Sequence, residues 1–309
     1  MKMLVTGGAG FIGSHIVDAL IERGHDVTII DNMITGQQEN INPAATFIKM
    51  DIRDKGIKNV LAQHKIEIIF HQAAQLDVRK SVDDPIYDAD VNILGTLNLL
   101  QAAAAAGAKK ILFASTGGAI YGEQVEFPAT ESHPAWPASP YGVTKLACER
   151  YIHYFSEAHG IRYGLMRYAN VYGPRQNAHG EAGVVAIFSD KLLDGDQPVI
   201  NGDGTQSRDF VYVHDVVNAN MLAMEHDQND YFNVGTGVET DVNTVFRLLN
   251  RHSGANKEEI HMEAKAGEQM RSVLSYDKIK NTLGWTPKMK IDEGLKHTVD
   301  FFINQRTTI

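Results

Sequence analysis

Residues 3–15, Met-Leu-Val-Thr-Gly-Gly-Ala-Gly-Phe-Ile-Gly-Ser-His, are the most informative stretch of this chain. A short apolar run leads directly into Gly7, Gly10 and Gly13, and a helical pattern of apolar residues follows. Glycines between a strand and a helix permit a tight turn and a close approach of the backbone to a pyrophosphate, while the helix N-terminus presents free N–H groups to the anion. The stretch therefore predicts a dinucleotide-binding loop.

The next strand pattern, residues 26–30, supports this prediction because it is β-branched and bounded by Gly24 and Asn32. It leads into Asp31, at the distance from the glycines where an acidic residue binds the adenosine ribose. A carboxylate there repels the 2′-phosphate of NADP, and residues 32–34 contain no arginine that would compensate. We therefore expect the cofactor to be NAD.

Composition excludes several classes of protein. The chain has 309 residues, a net charge of −9 and no run of lysine or arginine, which argues against binding to nucleic acid or to a membrane surface. The single cysteine, Cys148, excludes an intramolecular disulfide and a cysteine metal cluster, and the dispersed histidines predict no metal site. With no long apolar stretch and a strand beginning at residue 3, we expect a cytoplasmic protein.

Strand and helix patterns alternate up to about residue 170, which predicts an α/β fold of the Rossmann type with a doubly wound parallel sheet. The predicted strands are 4–6, 27–30, 47–50, 66–71, 110–115 and 163–168, and the main predicted helices are 13–23, 54–64, 86–106 and 141–159. We expect residues 1–174 to bind the dinucleotide and residues 175–309, some of which return to the first domain, to form a smaller α/β substrate domain.

A tyrosine and a lysine four residues apart, Tyr141 and Lys145, begin a helix pattern behind Pro140 and therefore project from one helix face. An ammonium beside a phenol stabilises the phenolate, which a general base near neutral pH requires. The same spacing occurs at Tyr276 and Lys280, but only the first pair follows a predicted parallel strand that ends in hydroxyl residues. We therefore predict that Tyr141 and Lys145 are catalytic.

With these motifs in place, the chain resembles the extended short-chain dehydrogenase/reductase superfamily, and within it the UDP-glucose (UDP-galactose) 4-epimerases. The residues that carry the resemblance span nearly the full chain: 6–15, 31–32, 51–52, 71–75, 92, 115–122, 141–145, 167–175 and 202–215. As a set they are specific for enzymes that bind NAD and a nucleotide sugar, and less specific for the sugar.

The resemblance implies roles for individual residues on the cofactor side. A first group would hold the pyrophosphate, the adenosine ribose and the adenine: Gly7, Gly10, Phe11, Ile12, Gly13, Asp31, Asn32, Asp51 and Ile52. A second group would line or support the nicotinamide side: Gln72, Ala73, Ala74, Gln75, Asn92, Tyr141, Lys145 and Tyr168.

On the substrate side, the resemblance implies that Tyr141 removes the proton from the sugar 4-hydroxyl while hydride leaves C4, and that the 4-keto sugar then presents its other face. Thr116, together with Ser115, would bond the 4-oxygen, although the resemblance leaves open which hydroxyl relays the proton. The remaining residues expected to contact substrate are Gly117, Asn170, Arg208, Arg271 and Ser272. Alignment through Gly267 and Glu268 places Ser272 beside the sugar 2-substituent, where a small residue would admit N-acetyl groups; a shifted register would place Arg271 or Val273 there instead.

The sequence departs from its relatives at Gly117, where many carry a serine or threonine, and we expect Thr116 to take that role. Dehydratases carry a Thr-Asp-Glu segment here; Gly117 and Gly118 provide no acid for elimination, which counts against a dehydratase or a decarboxylase. UDP-glucuronate 4-epimerase stays open, and a non-catalytic NAD-binding scaffold is disfavoured because Tyr141 and Lys145 are both present.

Two predicted helices carry more apolar residues than one face of a sheet needs: Leu94, Leu97, Leu99 and Leu100 on one, Leu146, Tyr151, Tyr154 and Phe155 on the other. The family resemblance implies that these helices pair across a two-fold axis, so we expect a homodimer.

Overall fold

The structure is a computed structural model, and it describes residues 1–178, 183–264 and 269–307. Its strands in these ranges are β1 (Lys2–Thr6), β2 (Asp26–Asp31), β3 (Thr46–Lys49), β4 (Ile68–His71), β5 (Lys110–Thr116), β6 (Arg162–Tyr168), β7 (Asn170–Tyr172), β8 (Ile200–Asn201), β9 (Ser207–Tyr212), β10 (Asp230–Val234), β11 (Glu239–Asp241), β12 (His261–Met262) and β13 (Arg271–Ser272).

The α-helices of the same ranges are α1 (Phe11–Glu22), α2 (Ile57–His64), α3 (Val78–Asp83), α4 (Pro85–Ala89), α5 (Gly95–Ala106), α6 (Gly117–Ile120), α7 (Pro140–His159), α8 (Val184–Leu193), α9 (Val213–Glu225), α10 (Val242–Ser253), α11 (Asp277–Leu283) and α12 (Ile291–Thr307). Short 3₁₀ and π segments cover Gln38–Asn40 and Asp90–Leu94.

The main sheet has seven strands in the order β10-β6-β5-β4-β1-β2-β3, and all of its strand pairs are parallel. Apolar side chains fill both faces: α1 and α9 share one core with the sheet, and α2, α5 and α7 share the other. The predicted doubly wound parallel sheet is therefore confirmed. Because the strands are parallel, their carboxyl ends meet at one edge of the sheet, which is where such folds bind ligands.

A second unit lies beyond this edge. Strands β11, β9 and β13 pair side by side, β7 joins β9, and α8, α10 and α12 pack into a separate apolar core with them. Strand β10 belongs instead to the main sheet, where Asp230 to Val234 pair with β6. The chain thus returns to the first unit, and the two units meet at the carboxyl edge of the sheet.

The predicted helix 86–106 is interrupted in the structure. Helix α4 passes through a π segment, Asp90–Leu94, before α5 begins at Gly95. A π turn inserts an extra residue into the helical ladder and changes the direction of the side chains that follow, and such turns occur often at functional sites. Here the segment holds Asn92, which is 3% exposed, against the loop that follows β4. Periodicity alone does not reveal this interruption.

The apolar residues expected at a subunit interface divide into three groups by burial. Leu99, Leu100 and Phe155 lie in the core of the chain itself, Leu97 and Leu146 are partly buried, and Leu94, Tyr151 and Tyr154 are exposed. The exposed group, with Ile86 and Val143 from the same helices, leaves an apolar surface on this face of the molecule.

Cys148 is buried on α7. None of the described helices is long and apolar enough to cross a bilayer.

Candidate active site

A cleft of about 1000 Å³ runs along the carboxyl ends of the strands, between the main sheet and the second unit. The glycine-rich loop forms one end, the first turn of α7 and the end of β5 form the centre, and β7, β9 and Gln269 contribute at the other end. The strand ends of a doubly wound sheet are the expected location of a ligand site. The cleft brings the two predicted halves of the site together.

The glycine-rich loop has the geometry of an anion cradle. Gly7 has a φ of 70°, and a Cβ there would lie 2.7 Å from the Ala73 nitrogen; a Cβ at Gly13 would overlap the carbonyl oxygen of Gly7. Helix α1 begins directly after Gly10, which provides no side-chain cap. The first N–H groups of the helix therefore stay available to a bound anion, so these residues fit a dinucleotide pyrophosphate. Phe11 and Ile12 line the same end.

Asp31 ends β2 inside the cleft and is 7% exposed. Its carboxylate accepts hydrogen bonds from the backbone of Ala9 and Met33, at 3.0 and 2.8 Å. The acid predicted to bind the ribose thus also fixes the glycine loop against the end of β2. This position fits a diol and disfavours an additional phosphate.

Next to it, Asn32 donates to Asp51 across 2.9 Å, and the Arg53 guanidinium bonds both oxygens of the same carboxylate. These hydrogen bonds from Arg53 hold the pKa of Asp51 well below its usual range. Asn32, Asp51 and Ile52 all line the cleft. On the predicted adenosine side of the cleft, hydrogen bonds therefore connect Asn32, Asp51 and Arg53.

Tyr141 and Lys145 lie in the first turns of α7, behind the Ser139 cap, and both line the cleft. The Lys145 ammonium is 5.9 Å from the centre of the Tyr141 ring and 4.7 Å from that of Phe113, and it donates to the Ala114 carbonyl at 2.9 Å. Burial lowers the pKa of Lys145 to about 8. Burial, and to a lesser degree the charge of Asp88, raises the pKa of Tyr141.

Tyr141 and Lys145 thus lie close together, as their spacing predicts, but the pKa of the phenol is raised and not lowered. Burial is the main cause of this shift, and the Lys145 ammonium donates its hydrogen bond to the backbone of β5.

The two hydroxyl residues at the end of β5 differ in their partners. Ser115 donates to Glu149, with Oγ and Oε1 2.5 Å apart, and Arg167 bonds the same carboxylate at 2.7 Å. Thr116 is only partly buried at the centre of the cleft. Both residues line the cleft, but the Ser115 hydroxyl donates to Glu149, and Thr116 is the more exposed of the two.

Gly117 does not line the cleft, contrary to its predicted contact with substrate. It is buried under Leu274, whose side chain a Cβ at Gly117 would overlap. This contact also explains why no serine or threonine occupies the position. Gly118, the next residue, lies at the cleft surface.

The loop after β4 also contains residues of two kinds, some that line the cleft and one that is buried behind it. Gln72, Ala73 and Ala74 line the cleft, and the buried Oε1 of Gln72 has no hydrogen-bond partner in the described protein. Gln75 turns away into the interior, where it bonds Asn92. Gln75 and Asn92 therefore support the cofactor side from behind and do not contact the cleft.

Tyr168 closes this side, where its hydroxyl exchanges hydrogen bonds with Asn220. His71 lies between Thr6 and Thr96 at 2.7 and 2.9 Å, a structural role. The described residues contain no group of three or more histidine, cysteine or acidic side chains suited to a metal ion.

At the far end, Asn170 and Arg208 line the cleft as predicted. Arg208 donates to the carbonyl oxygens of Ser207 and Gln269, at 2.8 and 2.6 Å. Gln269 also bonds the Gly122 carbonyl at 2.6 Å, so it connects the second unit to the rim of the cleft. Sequence reasoning missed Gln269 because no pattern distinguishes it from its neighbours.

Arg271 and Ser272 are not brought to the surface of the cleft, and the prediction of direct contact with substrate is corrected for both. Arg271 is exposed, pairs with Glu239 at 2.9 Å and stacks on Phe127. Ser272 is 3% exposed on β13, where it pairs with Arg208 of β9. Strand alternation sends the two side chains to opposite faces, and neither direction leads into the cleft. Gly267 and Glu268, used for the alignment, lie outside the described residues. His179, one of the dispersed histidines, also lies outside them.

Comparison with known proteins now adds to this geometry. The sequence profile of the NAD dependent epimerase/dehydratase family matches residues 3–235. Among solved structures, the chain is similar to the UDP-glucose 4-epimerase of Thermotoga maritima with UDP-glucose, at 48% identity and a TM-score of 0.97, covering 99% of this chain and 100% of that one.

It is also similar to the Thermus thermophilus UDP-glucose 4-epimerase in complex with NAD, at 43% identity, a TM-score of 0.92 and coverage of 98% and 99%. A UDP-N-acetylglucosamine 4-epimerase from Methanobrevibacter ruminantium is 37% identical, with a TM-score of 0.92 and 98% of each chain covered. Fold, cleft and similarity agree, and the chain belongs to the NAD dependent epimerase/dehydratase family.

Proposed function

We propose that this protein is an NAD-dependent epimerase that inverts C4 of a UDP-hexose and interconverts UDP-galactose and UDP-glucose. The observation that carries the proposal is the order of groups along one cleft. An anion cradle lies at one end, Tyr141, Lys145 and Thr116 lie at the centre, and Arg208 lies at the other end. Similarity to UDP-glucose 4-epimerases over the whole chain supports the same reaction.

The cofactor side would be formed by the glycine loop, Asp31, the Asn32–Asp51 pair and the loop 72–74. Bound NAD supplies a reversible hydride acceptor for C4 of the sugar. The protein has to hold the sugar so that either face of a 4-keto intermediate is presented to that acceptor. Because the reaction regenerates the oxidised cofactor, we expect NAD to stay with the protein through purification.

Proton transfer would belong to Tyr141, which removes the proton from the 4-hydroxyl and returns it after inversion. Lys145 holds positive charge 5.9 Å from the centre of the Tyr141 ring, and an ammonium near a phenol favours the phenolate. Thr116 would donate to the 4-oxygen. Arg208, which lines the cleft, would bind the diphosphate, for which a guanidinium is the preferred partner.

A dehydratase is disfavoured because the segment after Thr116 contains two glycines and no acid. A second candidate substrate pair is UDP-N-acetylglucosamine and UDP-N-acetylgalactosamine. It is supported by the similarity to a UDP-N-acetylglucosamine 4-epimerase. Epimerisation of both pairs by one cleft would require room beside the sugar 2-substituent.

For organisation, we propose that residues 1–174, with β10, form the NAD-binding domain and that residues 175–309 mainly bind the nucleotide sugar.

We also propose a homodimer through the exposed face that contains Leu94, Tyr151 and Tyr154. Apolar side chains gathered on one face of neighbouring helices are typical of an isologous contact. A monomer by light scattering at micromolar concentration would contradict the dimer.

Cys148 is buried and forms no disulfide within the chain, which is compatible with the proposed cytoplasmic location.

The test of function is direct. Purified protein should contain NAD, and it should convert UDP-galactose to UDP-glucose without added cofactor, as followed by NMR of the product mixture. A panel with the two UDP-N-acetylhexosamines and UDP-glucuronate then establishes the substrate range. A keto-deoxy or decarboxylated product would contradict the proposal.

A further inference from the structure

A buried carboxylate, Asp88 of α4, lies behind the cleft and is 0% exposed. Its Oδ1 accepts hydrogen bonds from Gln75 and Asn92 at 2.9 and 3.1 Å, and its Oδ2 accepts one from Thr144 at 2.8 Å. The donors come from three separate segments: the loop after β4, the π segment and the first turn of α7. One carboxylate therefore connects its own helix, including the π segment that continues it, to the loop after β4 and to α7.

Two of these segments carry parts of the active site. Gln75 follows directly on the residues 72–74 that line the cleft, and its backbone exchanges two hydrogen bonds of 2.9 Å with Asn92. Thr144 stands between Tyr141 and Lys145 in sequence, and the single hydrogen of its hydroxyl is shared between Asp88 Oδ2 and the Tyr141 carbonyl oxygen, which lie 2.8 and 2.9 Å from Oγ1. A movement of Asp88 would thus displace both the cofactor-facing loop and the turn that carries the tyrosine and lysine.

Burying an ionised carboxylate is costly, and an apolar or neutral junction often stabilises a protein equally well. Burial is the main cause of the shifted pKa of Tyr141, Lys145 and Cys148 on α7, and the negative charge of Asp88 also acts on each of them. This charge adds to the raised pKa of Tyr141 and Cys148, and it opposes the lowered pKa of Lys145, as the charge of Glu149 also does. His71 of β4 faces the Lys145 ammonium as well.

We propose that Asp88 is a positioning residue of the active site, which fixes the cofactor-facing loop through Gln75 and the Tyr141–Lys145 turn through Thr144. Its role in turnover rests on the proposed function; its role in holding the cofactor loop does not. Asp88 does not itself line the cleft, and it acts only through the side chains that it joins.

The decisive variant is Asp88→Asn, because it removes the charge and keeps the shape. The new amide oxygen still accepts from Gln75 and Asn92, and the amide nitrogen donates to the Thr144 oxygen. We expect normal folding and normal NAD content. Without the anion, the contribution of Asp88 to the raised pKa of Tyr141 is lost, so the acidic limb of the kcat–pH profile should move to lower pH.

Two further variants test the connections themselves. Asp88→Ala removes the hydrogen bonds to all three segments, and Thr144→Val removes only the hydrogen bond to α7. For Asp88→Ala we expect at least a tenfold loss of kcat, a smaller change in KM for UDP-galactose and reduced NAD in the purified protein. Thr144→Val should lower kcat with NAD content unchanged, and Thr144→Ser should restore kcat. Glu157→Gln, an exposed acid of the same helix, is the matched control and should resemble wild type.

The outcomes separate the two proposals. Wild-type protein that retains NAD but does not epimerise any UDP-sugar would contradict the proposed function, and the NAD content of Asp88→Ala would still decide whether Asp88 holds the cofactor loop. The proposal for Asp88 is overturned if the Asp88→Asn profile superimposes on that of wild type and Asp88→Ala keeps its full NAD content. If Asp88→Ala fails to fold, the Asp88→Asn profile and the Thr144 pair decide alone.

Discussion

Ser115 gives its hydroxyl hydrogen to Glu149, with 2.5 Å between the two oxygen atoms, in a place closed to solvent. Arg167 bonds the same carboxylate and also contacts the Tyr121 hydroxyl at 3.1 Å, so Ser115 is part of a buried network behind the sheet edge. This arrangement distinguishes two adjacent hydroxyls that the sequence presents as equivalent. We therefore propose that the Thr116 hydroxyl serves the chemistry in the cleft.

Thr116→Ala should therefore reduce kcat by roughly 10²-fold, because the 4-oxygen loses its hydrogen-bond donor. Ser115→Ala should reduce kcat less. Thr116→Ser keeps a hydroxyl and serves as the control, with turnover close to wild type. Initial rates with UDP-galactose measure the order. A larger loss in Ser115→Ala, with unchanged thermal stability, would assign the proton relay to Ser115 instead.

Tyr141→Phe removes the proposed general base and little volume. We expect kcat to fall by roughly 10²–10⁴-fold, since positioned proton transfer contributes about that much. Absorbance of the purified protein and acid extraction should show that NAD is still bound, which separates a chemical defect from a binding defect. Turnover near the wild-type rate would remove Tyr141 from the mechanism.

Lys145 is a catalytic group that is expected to reduce stability, because burial lowers its pKa to about 8. Below that pH the folded protein holds a buried ammonium that the unfolded chain would solvate, so this penalty is full at pH 7. It disappears between pH 8 and the ordinary lysine range, where folded and unfolded states both become neutral.

Lys145→Met should thus be inactive and yet at least as stable as wild type at pH 7. Its advantage in melting temperature, measured on cofactor-free protein, should shrink as the pH rises from 8 to 10.5. A variant equally destabilised at both ends of this range would show that the ammonium carries no burial penalty.

Burial also lowers the pKa of Lys110 to about 8, but this lysine has a structural role that we expect to outweigh the penalty. Its buried ammonium donates to the carbonyl oxygens of Ala223 and Met224, at 2.7 and 3.1 Å, and to that of His226, which together cap the C-terminus of α9. Lys110→Met leaves these carbonyls without a donor, and we expect a loss of about 2–3 kcal/mol in the free energy of unfolding. Urea denaturation provides the measurement.

The neighbouring Lys109 is the matched control for this experiment. It is 64% exposed and pairs with Glu67, so Lys109→Met should cost less than about 1 kcal/mol. Equal losses in the two variants would contradict the capping role of Lys110.

Much of the fold could be predicted from local patterns. Residues 3–15 fix a strand, a turn and a helix because glycine spacing and apolar periodicity agree, and the structure has β1 and α1 there. Tyr141 and Lys145 can also be identified, because four residues bring two side chains to one helix face and a strand pattern that ends in hydroxyl residues precedes this pair. Both features depend only on neighbours in sequence.

The parts that sequence could not supply depend on contacts between distant segments. The burial of Gly117 is set by Leu274, and the partner of Ser115 comes from α7. The register of β13 on β9 determines that Ser272 faces the interior, and an alignment does not contain that pairing. Asp88 lacks any local signature, since its three donors come from three segments.

The most direct test of the whole account is the fate of the hydrogen at C4. UDP-galactose carrying deuterium at C4 is incubated with the purified protein without added NAD, and the product is examined by NMR and mass spectrometry. The account predicts UDP-glucose with the deuterium still at C4, since the hydride returns to the carbon that it left. Loss of the label to solvent, or a product with a changed C5 or C6, would contradict it.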